Sequence, residues 1–248
     1  MSVMYTKEEY KQNLNAVVLD LETTGLAAKT DRIIEIGSIT ICQGKLKGEY
    51  SQLLDPGFML QERTVQITGI TDEMLSGKPE FKQVKEKLLS FIGEDVLIGH
   101  NILFDFSFLK KAVINDSPKG TRFERLGIDT LKIARMVLPG EQKKTLEALC
   151  QLYGIEYQPH RALEDALATW ELFQVLVDQY YETAPELFKP KPLNYQVKRD
   201  TPVMQKQIEQ IRRLHEQYQI PLTRDLSKMT KSEASRYIDQ MKAEYGKN

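Results

Sequence analysis

The sequence predicts an α/β fold in which helices pack on the faces of a mixed β-sheet. Three strand-like runs come first, at Ala16–Asp20, Ile33–Cys42 and Lys45–Leu54, and strands so close in sequence tend to pair antiparallel. Helical patterns then alternate with a further strand, and this combination is typical of a mixed sheet covered by helices. A proline-rich stretch and two short amphipathic patterns end the chain, which predicts a small helical hairpin after the main domain.

The individual elements follow from local patterns. The turn-prone pair Gln43-Gly44 joins the second and third strand-like runs, and Asp55-Pro56-Gly57 closes the third. Apolar residues recurring at helical spacing, and one short apolar run, mark the rest. These remaining elements are helices at Glu80–Ile92, Phe104–Ile114, Thr130–Val137, Thr145–Tyr153 and Ala162–Tyr181, and a strand at Asp95–Ile98.

We expect three parts along the chain: a domain over residues 1–182, a linker over residues 183–200 and a helical hairpin over residues 201–248. The linker region is rich in proline, which favours an extended backbone. Both hairpin helices have start signals, since Pro202 stands at an opening position after a threonine, and Thr230-Lys-Ser-Glu233 forms a capping box.

Composition limits the class of protein. The chain has 248 residues, 41% of them hydrophobic and 28% charged, with a formal net charge of −1, so it is long enough for one ordinary domain and something smaller. Cys42 and Cys150 lie in apolar stretches without a CxxC partner, and we interpret them as buried thiols in a reducing compartment. The polar N-terminus and the lack of a long apolar run predict a cytoplasmic protein that does not enter a membrane.

Two acids end the first strand. Asp20 and Glu22 are two residues apart, so their side chains point to the same face of a strand. Like charges side by side repel, and the apolar neighbours offer no counter-charge. The pair is either a metal-binding site or two solvated acids at a strand end, and this pattern alone leaves both open.

Two further acids stand at apolar positions of helices. Asp105 lies on the same helical face as Phe108, Leu109 and Ala112, where an unpaired carboxylate is costly. Asp165 flanks the apolar stripe of the helix that begins near Ala162. Each acid is also near a helix N-terminus, where free backbone N–H groups stabilise a carboxylate, so either one alone has an ordinary structural explanation.

Taken together, four acids from one strand and two helices have a common chemical use. Mg²⁺ prefers oxygen ligands and takes a few carboxylates, with water and substrate phosphate completing its shell. Two such ions can activate a water and stabilise the leaving oxygen in phosphodiester hydrolysis. His160, in a loop just before the last of these helices, is the candidate general base.

Three segments of the chain resemble the motifs of the DEDDh superfamily of 3′→5′ exonucleases. The first motif is Asp20-Leu-Glu22-Thr-Thr-Gly25, the second contains Asn101 and Asp105, and the third is His160-Arg-Ala-Leu-Glu-Asp165. They occur in the family's order over about residues 14–180. The segment Ile67-Thr-Gly-Ile-Thr71 has threonine where the family often has histidine, and in this it is similar to the exonuclease domains of Gram-positive DNA polymerase III.

The resemblance implies an RNase H-like fold with a mixed five-stranded sheet. It assigns Asp20, Glu22, Asp105 and Asp165 to two divalent ions, Mg²⁺ or Mn²⁺, and His160 to the base. It also implies that the substrate is a single-stranded or frayed DNA 3′ end, with proofreading or repair as the context and a polymerase as a possible partner. The substrate contacts it implies are Leu21, Thr23, Thr24, Leu26, Asn101 and Phe104.

Other functions stay open at this point. An exoribonuclease would use the same motifs, because RNA is distinguished from DNA by contacts to the 2′-OH. A non-catalytic nucleic-acid-binding adapter on the same fold is the alternative from another class. The region from Lys189 to Asn248 carries 13 Lys or Arg against 7 Asp or Glu, so the hairpin either adds phosphate contacts or serves as a packing or dimerisation element.

Overall fold

The structure is a computed structural model that describes residues 5–222 and 225–246. Within the predicted hairpin, residues 223–224 and 247–248 lie outside the described part. The predicted α/β architecture is confirmed: helices flank a mixed sheet, and two further helices follow it as a hairpin.

The sheet contains the predicted meander and, beside it, two strands that run parallel to the first strand. Its strands are β1 (Ala16–Thr23), β2 (Ile33–Cys42), β3 (Lys45–Leu53), β4 (Val96–Gly99), β5 (Leu126–Asp129) and β6 (Lys191–Pro192). Their order across the sheet is β3-β2-β1-β4-β5-β6. The strands β1, β2 and β3 pair antiparallel, whereas β4 is parallel to β1 and β5 is parallel to β4. The sheet therefore has five main strands and a two-residue sixth strand, β6, at its edge.

Ten helices accompany the sheet in the described ranges. They are α1 (Lys7–Asn13), α2 (Glu62–Thr68), α3 (Asp72–Leu75), α4 (Phe81–Ile92), α5 (Ile102–Asn115), α6 (Thr130–Val137), α7 (Leu146–Tyr153), α8 (Ala162–Tyr180), α9 (Gln205–Tyr218) and α10 (Lys231–Tyr245). The sequence patterns predicted every helix of eight or more residues. They missed α1, α2 and α3, because four to seven residues are too few to display a helical period. They also missed β5, which is only four residues long.

The two faces of the sheet explain where the acidic side chains go. Along β1, Val17 and Leu19 pack into the apolar cluster formed with α4 and α5. Val18, on the alternate position, packs into the cluster formed with α6, α7 and α8. Because successive side chains of a strand alternate between faces, Asp20 and Glu22 continue the Val18 face, which α8 covers.

Residues 183–200 follow the surface of the main domain. A 3₁₀ turn at Pro185–Phe188 buries the Phe188 ring completely against α8. Lys191–Pro192 then pairs with β5, and Leu193 packs into the core on the α4 and α5 side of the sheet. The segment is therefore bound to the domain along its length, and the division of the chain at 182 and 200 stays a prediction.

The C-terminal hairpin has an apolar centre of its own. Residues of α9 and α10 pack against the short turn between them, with Ile211, Leu226 and Ile238 buried. His215 of α9 is buried. Its two ring nitrogens lie 3.0 Å from the Ile220 carbonyl oxygen and 2.9 Å from the Tyr237 hydroxyl, because an imidazole can satisfy both contacts inside a small hairpin.

One cysteine prediction was wrong. Cys150 is buried as expected, but Cys42 is exposed, because it is the last residue of β2 and its side chain falls beyond the covered part of the sheet. No helix in the part of the chain that the structure describes is long and apolar enough to cross a membrane.

Candidate active site

Three of the four predicted acids meet on the α8 side of the sheet. Asp20 and Glu22 project from β1, and Asp165 projects from the first turn of α8. One carboxylate oxygen from each of the three lies within 4.8 Å of the others. The cluster therefore forms where a strand carrying two acids on one face passes under the start of a helix.

The start of α8 is held against the sheet by two features of β2. Gly37 lies directly beneath Ala162, and a methyl group at Gly37 would stand 1.9 Å from the Ala162 carbonyl carbon. Two residues earlier, the buried Glu35 carboxylate accepts hydrogen bonds from the Arg161 guanidinium, at 2.8 and 3.1 Å, and from the Ala162 backbone N–H, at 3.2 Å. Glu35 lies opposite Glu22 in the β1–β2 register, so these contacts fix α8 beside the acidic cluster.

Asp105 reaches the same region from the other face of the sheet. It lies in the first turn of α5 and is buried. Its Oδ1 accepts the Leu21 backbone N–H at 3.1 Å, so it binds the strand between the two acids of β1. The structure thus places Asp105 next to the cluster of three rather than inside it.

Burial and mutual repulsion raise the pKa values of the clustered acids. Burial raises the pKa of Asp20 well above its ordinary value, and the neighbouring Asp105, Asp165 and Glu22 raise it further. Burial also raises the pKa of Glu22 to about 8, with Asp165 and Glu35 adding to the effect and Arg161 opposing it. Each shift means that a negative charge at this position is unfavourable without a cation.

The residues present fit a hard divalent cation. The ligand atoms are all carboxylate oxygens, and three of them already converge. Oxygen donors of this type suit Mg²⁺ or Mn²⁺ rather than a metal that prefers sulfur. The raised pKa values of Asp20 and Glu22 point the same way, since a bound cation removes the penalty of ionising both.

His160 stands in an exposed loop immediately before α8. Its backbone is in the left-handed region, with φ of 74°, and it is followed by Arg161, which is anchored to Glu35. In the same loop the Tyr157 hydroxyl donates to Asp165 Oδ1 at 2.5 Å. Burial raises the pKa of Asp165, while this hydrogen bond opposes the rise. The loop therefore places the His160 imidazole near the acids, and its Tyr157 holds Asp165.

The predicted substrate contacts of the first motif lie at the end of β1 and in the loop after it. Leu21 has a buried side chain and gives its N–H to Asp105. Thr23 donates its hydroxyl to the Gly25 carbonyl, and Thr24 accepts the Arg32 N–H, so both threonines shape the loop. Leu26 is 85% exposed, so its side chain is accessible to a ligand.

The predicted contacts of the second motif lie at the start of α5. Asn101 is exposed and left-handed, with φ of 75°, and its N–H donates to Asp129 Oδ1 at 3.1 Å. Phe104 is half-buried, and its ring centroid lies 5.0 Å from that of Phe108. His100, just before them, contacts the Thr130 hydroxyl and the Lys144 carbonyl, so both of its ring nitrogens are used within the fold.

Sequence reasoning missed three residues that build the site: Glu35, Arg161 and Tyr157. A usable signal existed for Glu35, an acid inside the apolar run Ile33–Cys42, because such an acid needs a partner. Arg161 had no signal of its own, since its partner is 126 residues away. Tyr157 lies in an irregular loop, where no periodicity indicates the direction of a side chain.

Comparison with known proteins identifies an exonuclease family and relatives among DNA polymerase III proteins. Residues 17–173 match a family model, RNase_T, described as exonuclease. DNA polymerase III subunit epsilon of Aquifex aeolicus (strain VF5) is 33% identical over 166 residues, which span 66% of this chain and 81% of that protein. The PolC-type DNA polymerase III of Clostridium perfringens is 35% identical over 159 residues, but the match covers only 11% of that much longer protein.

Solved structures of similar fold are also exonucleases. The structure of exonuclease X in complex with 5′ overhanging duplex DNA matches with a TM-score of 0.55 and 26% identity, covering 70% of this chain and 97% of that one. E. coli exonuclease I in complex with a dT13 oligonucleotide matches with a TM-score of 0.57 and 20% identity, covering 71% of this chain and 42% of that one. The second likeness concerns the fold alone.

Proposed function

Because this chain belongs to the RNase_T family of exonucleases, we propose that it is a metal-dependent enzyme that removes nucleotides one at a time from the 3′ end of DNA. The single observation that carries the proposal is the convergence of Asp20, Glu22 and Asp165, whose carboxylate oxygens lie within 4.8 Å of one another. Such a concentration of acids has little structural benefit, because burial and mutual repulsion make it costly.

Four acids would hold two divalent ions, Mg²⁺ or Mn²⁺. Asp20, Glu22 and Asp165 offer convergent oxygens, and Asp105, whose first oxygen binds the Leu21 N–H, would contribute its second oxygen. When bound, such ions supply an activated water and charge stabilisation at the phosphate and the leaving oxygen. The chain's own contribution is to keep these oxygens in place by means of a strand and two helices.

His160 is the proposed general base. It lies in the loop that begins α8, five residues before Asp165, and its side chain is exposed to incoming substrate. An imidazole nitrogen can accept a proton, so the ring is suited to take the proton of the attacking water. The oxygen of that water forms the new bond to phosphorus, the bond to the 3′ oxygen of the preceding nucleotide breaks, and a nucleoside 5′-monophosphate leaves.

The proposed substrate is a single-stranded or frayed DNA end. Relatives named as DNA polymerase III subunits or PolC-type polymerases support DNA over RNA, as does the DNA in the exonuclease X complex. The contacts proposed for the terminal nucleotide are Leu21, Thr23, Thr24, Leu26, Asn101 and Phe104. The same relatives support proofreading or repair in the cytoplasm, with a polymerase as partner.

A 5′-labelled oligonucleotide tests the reaction. Purified protein would be incubated with single-stranded DNA, or with RNA of the same sequence, in Mg²⁺, in Mn²⁺ and in EDTA. The proposal predicts a ladder that shortens from the 3′ end of DNA and disappears in EDTA. Faster shortening of RNA would instead identify an exoribonuclease. Binding without shortening of either polymer, by a folded protein, would indicate a non-catalytic adapter.

A further inference from the structure

The loop after the first motif depends on two of its own residues for its shape. Residues 24–32, called here the substrate loop, connect β1 to β2 and carry the exposed Leu26. The Asp31 carboxylate accepts the Ala27 N–H at 2.8 Å. The Arg32 N–H and carbonyl bond to the Thr24 hydroxyl and N–H, at 3.0 and 2.9 Å. Whatever holds Asp31 and Arg32 therefore also holds the loop.

The C-terminal hairpin contacts both of these residues. The Arg32 guanidinium donates from Nε and Nη2 to the two carboxylate oxygens of Glu233 on α10, at 2.7 and 3.0 Å. One helical turn later, Arg236 pairs with the Asp31 carboxylate and donates to the Thr30 hydroxyl at 2.7 Å. Hence α10 binds the substrate loop through two ion pairs. In one pair the loop supplies the cation, Arg32, and in the other it supplies the anion, Asp31.

The residues that form these contacts are largely buried or have further hydrogen-bond partners. Glu233 and Asp31 are buried. Glu233 also accepts the Thr230 N–H at 2.7 Å as part of the capping box of α10, and Arg32 Nη1 donates to the Pro56 carbonyl at 2.6 Å. Bidentate pairs with a buried carboxylate have a fixed geometry, so a shift of α10 would move the loop with it.

The directions of the basic side chains limit which of them could contact DNA. Of its basic residues, Arg236 has its charge directed at the main domain, whereas Arg212 and Arg213 on α9 are exposed. Basic residues that tether a DNA backbone need to face solvent. The charges of Glu233 and Arg236 therefore hold the loop.

We propose that the C-terminal hairpin acts as a clamp on the substrate loop, with Glu233 and Arg236 as positioning residues for the terminal nucleotide. This inference rests on the proposed function, because the loop is a substrate contact only if the enzyme processes a nucleic-acid end. It goes beyond the family resemblance, since the family match ends at residue 173 and the hairpin begins about 30 residues later.

Hydrogen–deuterium exchange tests the clamp without relying on activity. In the full-length protein, Arg236→Ala removes one pair, Arg236→Lys keeps the charge, and Arg212→Ala removes an exposed hairpin arginine as a matched control. We expect the amides of residues 24–32 to exchange about tenfold faster in Arg236→Ala, because local opening is no longer opposed. We expect most of the protection to return in Arg236→Lys, and Arg212→Ala to leave the loop unchanged.

Kinetics with a long single-stranded DNA then separates positioning from tethering. A misplaced terminal nucleotide lowers the rate of the bound complex, so the clamp predicts that kcat falls about tenfold in Arg236→Ala while KM changes by less than about twofold. Thr30→Ala removes one of the two loop-side partners of Arg236 and leaves the pair with Asp31, so it should give a smaller change of the same kind. It also provides the test should Arg236→Ala fail to fold.

Two results would overturn the clamp. One is unchanged loop exchange in a folded Arg236→Ala protein. The other is a rise in KM at constant kcat that Arg212→Ala reproduces and salt abolishes, which would indicate phosphate tethering. If the wild-type enzyme shortens neither DNA nor RNA, the proposed function fails, and the exchange measurement still decides whether α10 holds the loop.

Discussion

The Glu35 carboxylate, which is completely buried in β2, binds the guanidinium of Arg161 through Nη2 at 2.8 Å and Nε at 3.1 Å. The two residues are 126 positions apart in sequence. Arg161 lies between the proposed base, His160, and the first residue of α8, so this pair connects the sheet that carries Asp20 and Glu22 to the helix that carries Asp165.

Breaking this pair should destabilise the folded protein. Arg161→Ala leaves Glu35 buried without its cation, which we expect to cost about 1–3 kcal/mol in the free energy of unfolding, less than a fully buried pair because Arg161 is half exposed. Denaturant unfolding measures this loss, and Arg122→Ala, which removes an exposed arginine, is the control. A double-mutant cycle with Glu35→Gln should give a coupling energy of at least about 0.5 kcal/mol, and strictly additive effects would contradict the pairing.

Removal of the proposed base should affect catalysis and leave metal binding intact. We expect His160→Ala to lower kcat by about 10²–10⁴-fold, the usual contribution of a positioned proton acceptor. Single-turnover shortening of labelled DNA measures the rate, and Mn²⁺ titration checks that the ion still binds. A variant that retains more than about half of the wild-type rate would contradict the assignment of His160 as the base.

Divalent ions should stabilise the folded protein. The proposed cation site exists only in the folded chain, so Mg²⁺ or Mn²⁺ at about 100 times its Kd should add about 2.7 kcal/mol to the free energy of unfolding. For a chain of this size that corresponds to a Tm increase of about 5–10 °C. Differential scanning calorimetry with and without EDTA tests this, and the double variant Asp20→Asn, Glu22→Gln should lose most of the increase.

In the metal-free protein, the same acids should make the free energy of unfolding depend on pH. The pKa of Glu22 is raised to about 8 in the folded state, above its ordinary value of 4.5, so the folded protein holds this proton more tightly than the unfolded chain. Stability therefore falls as the pH rises from about 4.5 to about 8.

Glu22→Gln removes the part of this pH dependence that is due to Glu22. At pH 8.5 in EDTA we expect the variant to have a Tm about 2–4 °C above that of the wild type, which corresponds to about 1 kcal/mol, and at pH 5 the difference should be small. Glu164→Gln, which changes an exposed acid on the same helix as Asp165, should show no such gain. A Glu22→Gln protein that is less stable than wild type at pH 8.5 in EDTA would argue against charge repulsion in the cluster.

The sequence predicted the fold because its signals are local. The meander of β1, β2 and β3 follows from apolar runs joined by Gln43-Gly44, whose backbone is left-handed at both residues, as a tight hairpin turn requires. The long helices follow from their apolar periodicity. The exonuclease family and enzyme class implied by the three motifs are confirmed by the family match and by the relatives.

The sequence could not predict how distant parts of the chain fit together. It placed Asp20 and Glu22 on one face, but not the approach of α8 over Gly37, which depends on the absence of a side chain there. It treated Asp105 as equivalent to the other acids, whereas Asp105 also binds the strand through the Leu21 N–H. It interpreted the hairpin from its charge, while the charges that matter, Glu233 and Arg236, are paired with residues about 200 positions earlier.

The most direct test of the account compares the wild-type enzyme with Asp20→Asn, Glu22→Gln on a 5′-labelled DNA strand in saturating Mn²⁺. Both proteins must first show the same far-UV circular dichroism, so that any difference reflects the site. The account predicts stepwise loss of nucleotides from the 3′ end by the wild type and a rate at least about 10³-fold lower for the variant, because the variant lacks two of the proposed metal ligands. Equal shortening by the two proteins would show that these carboxylates do not carry the reaction.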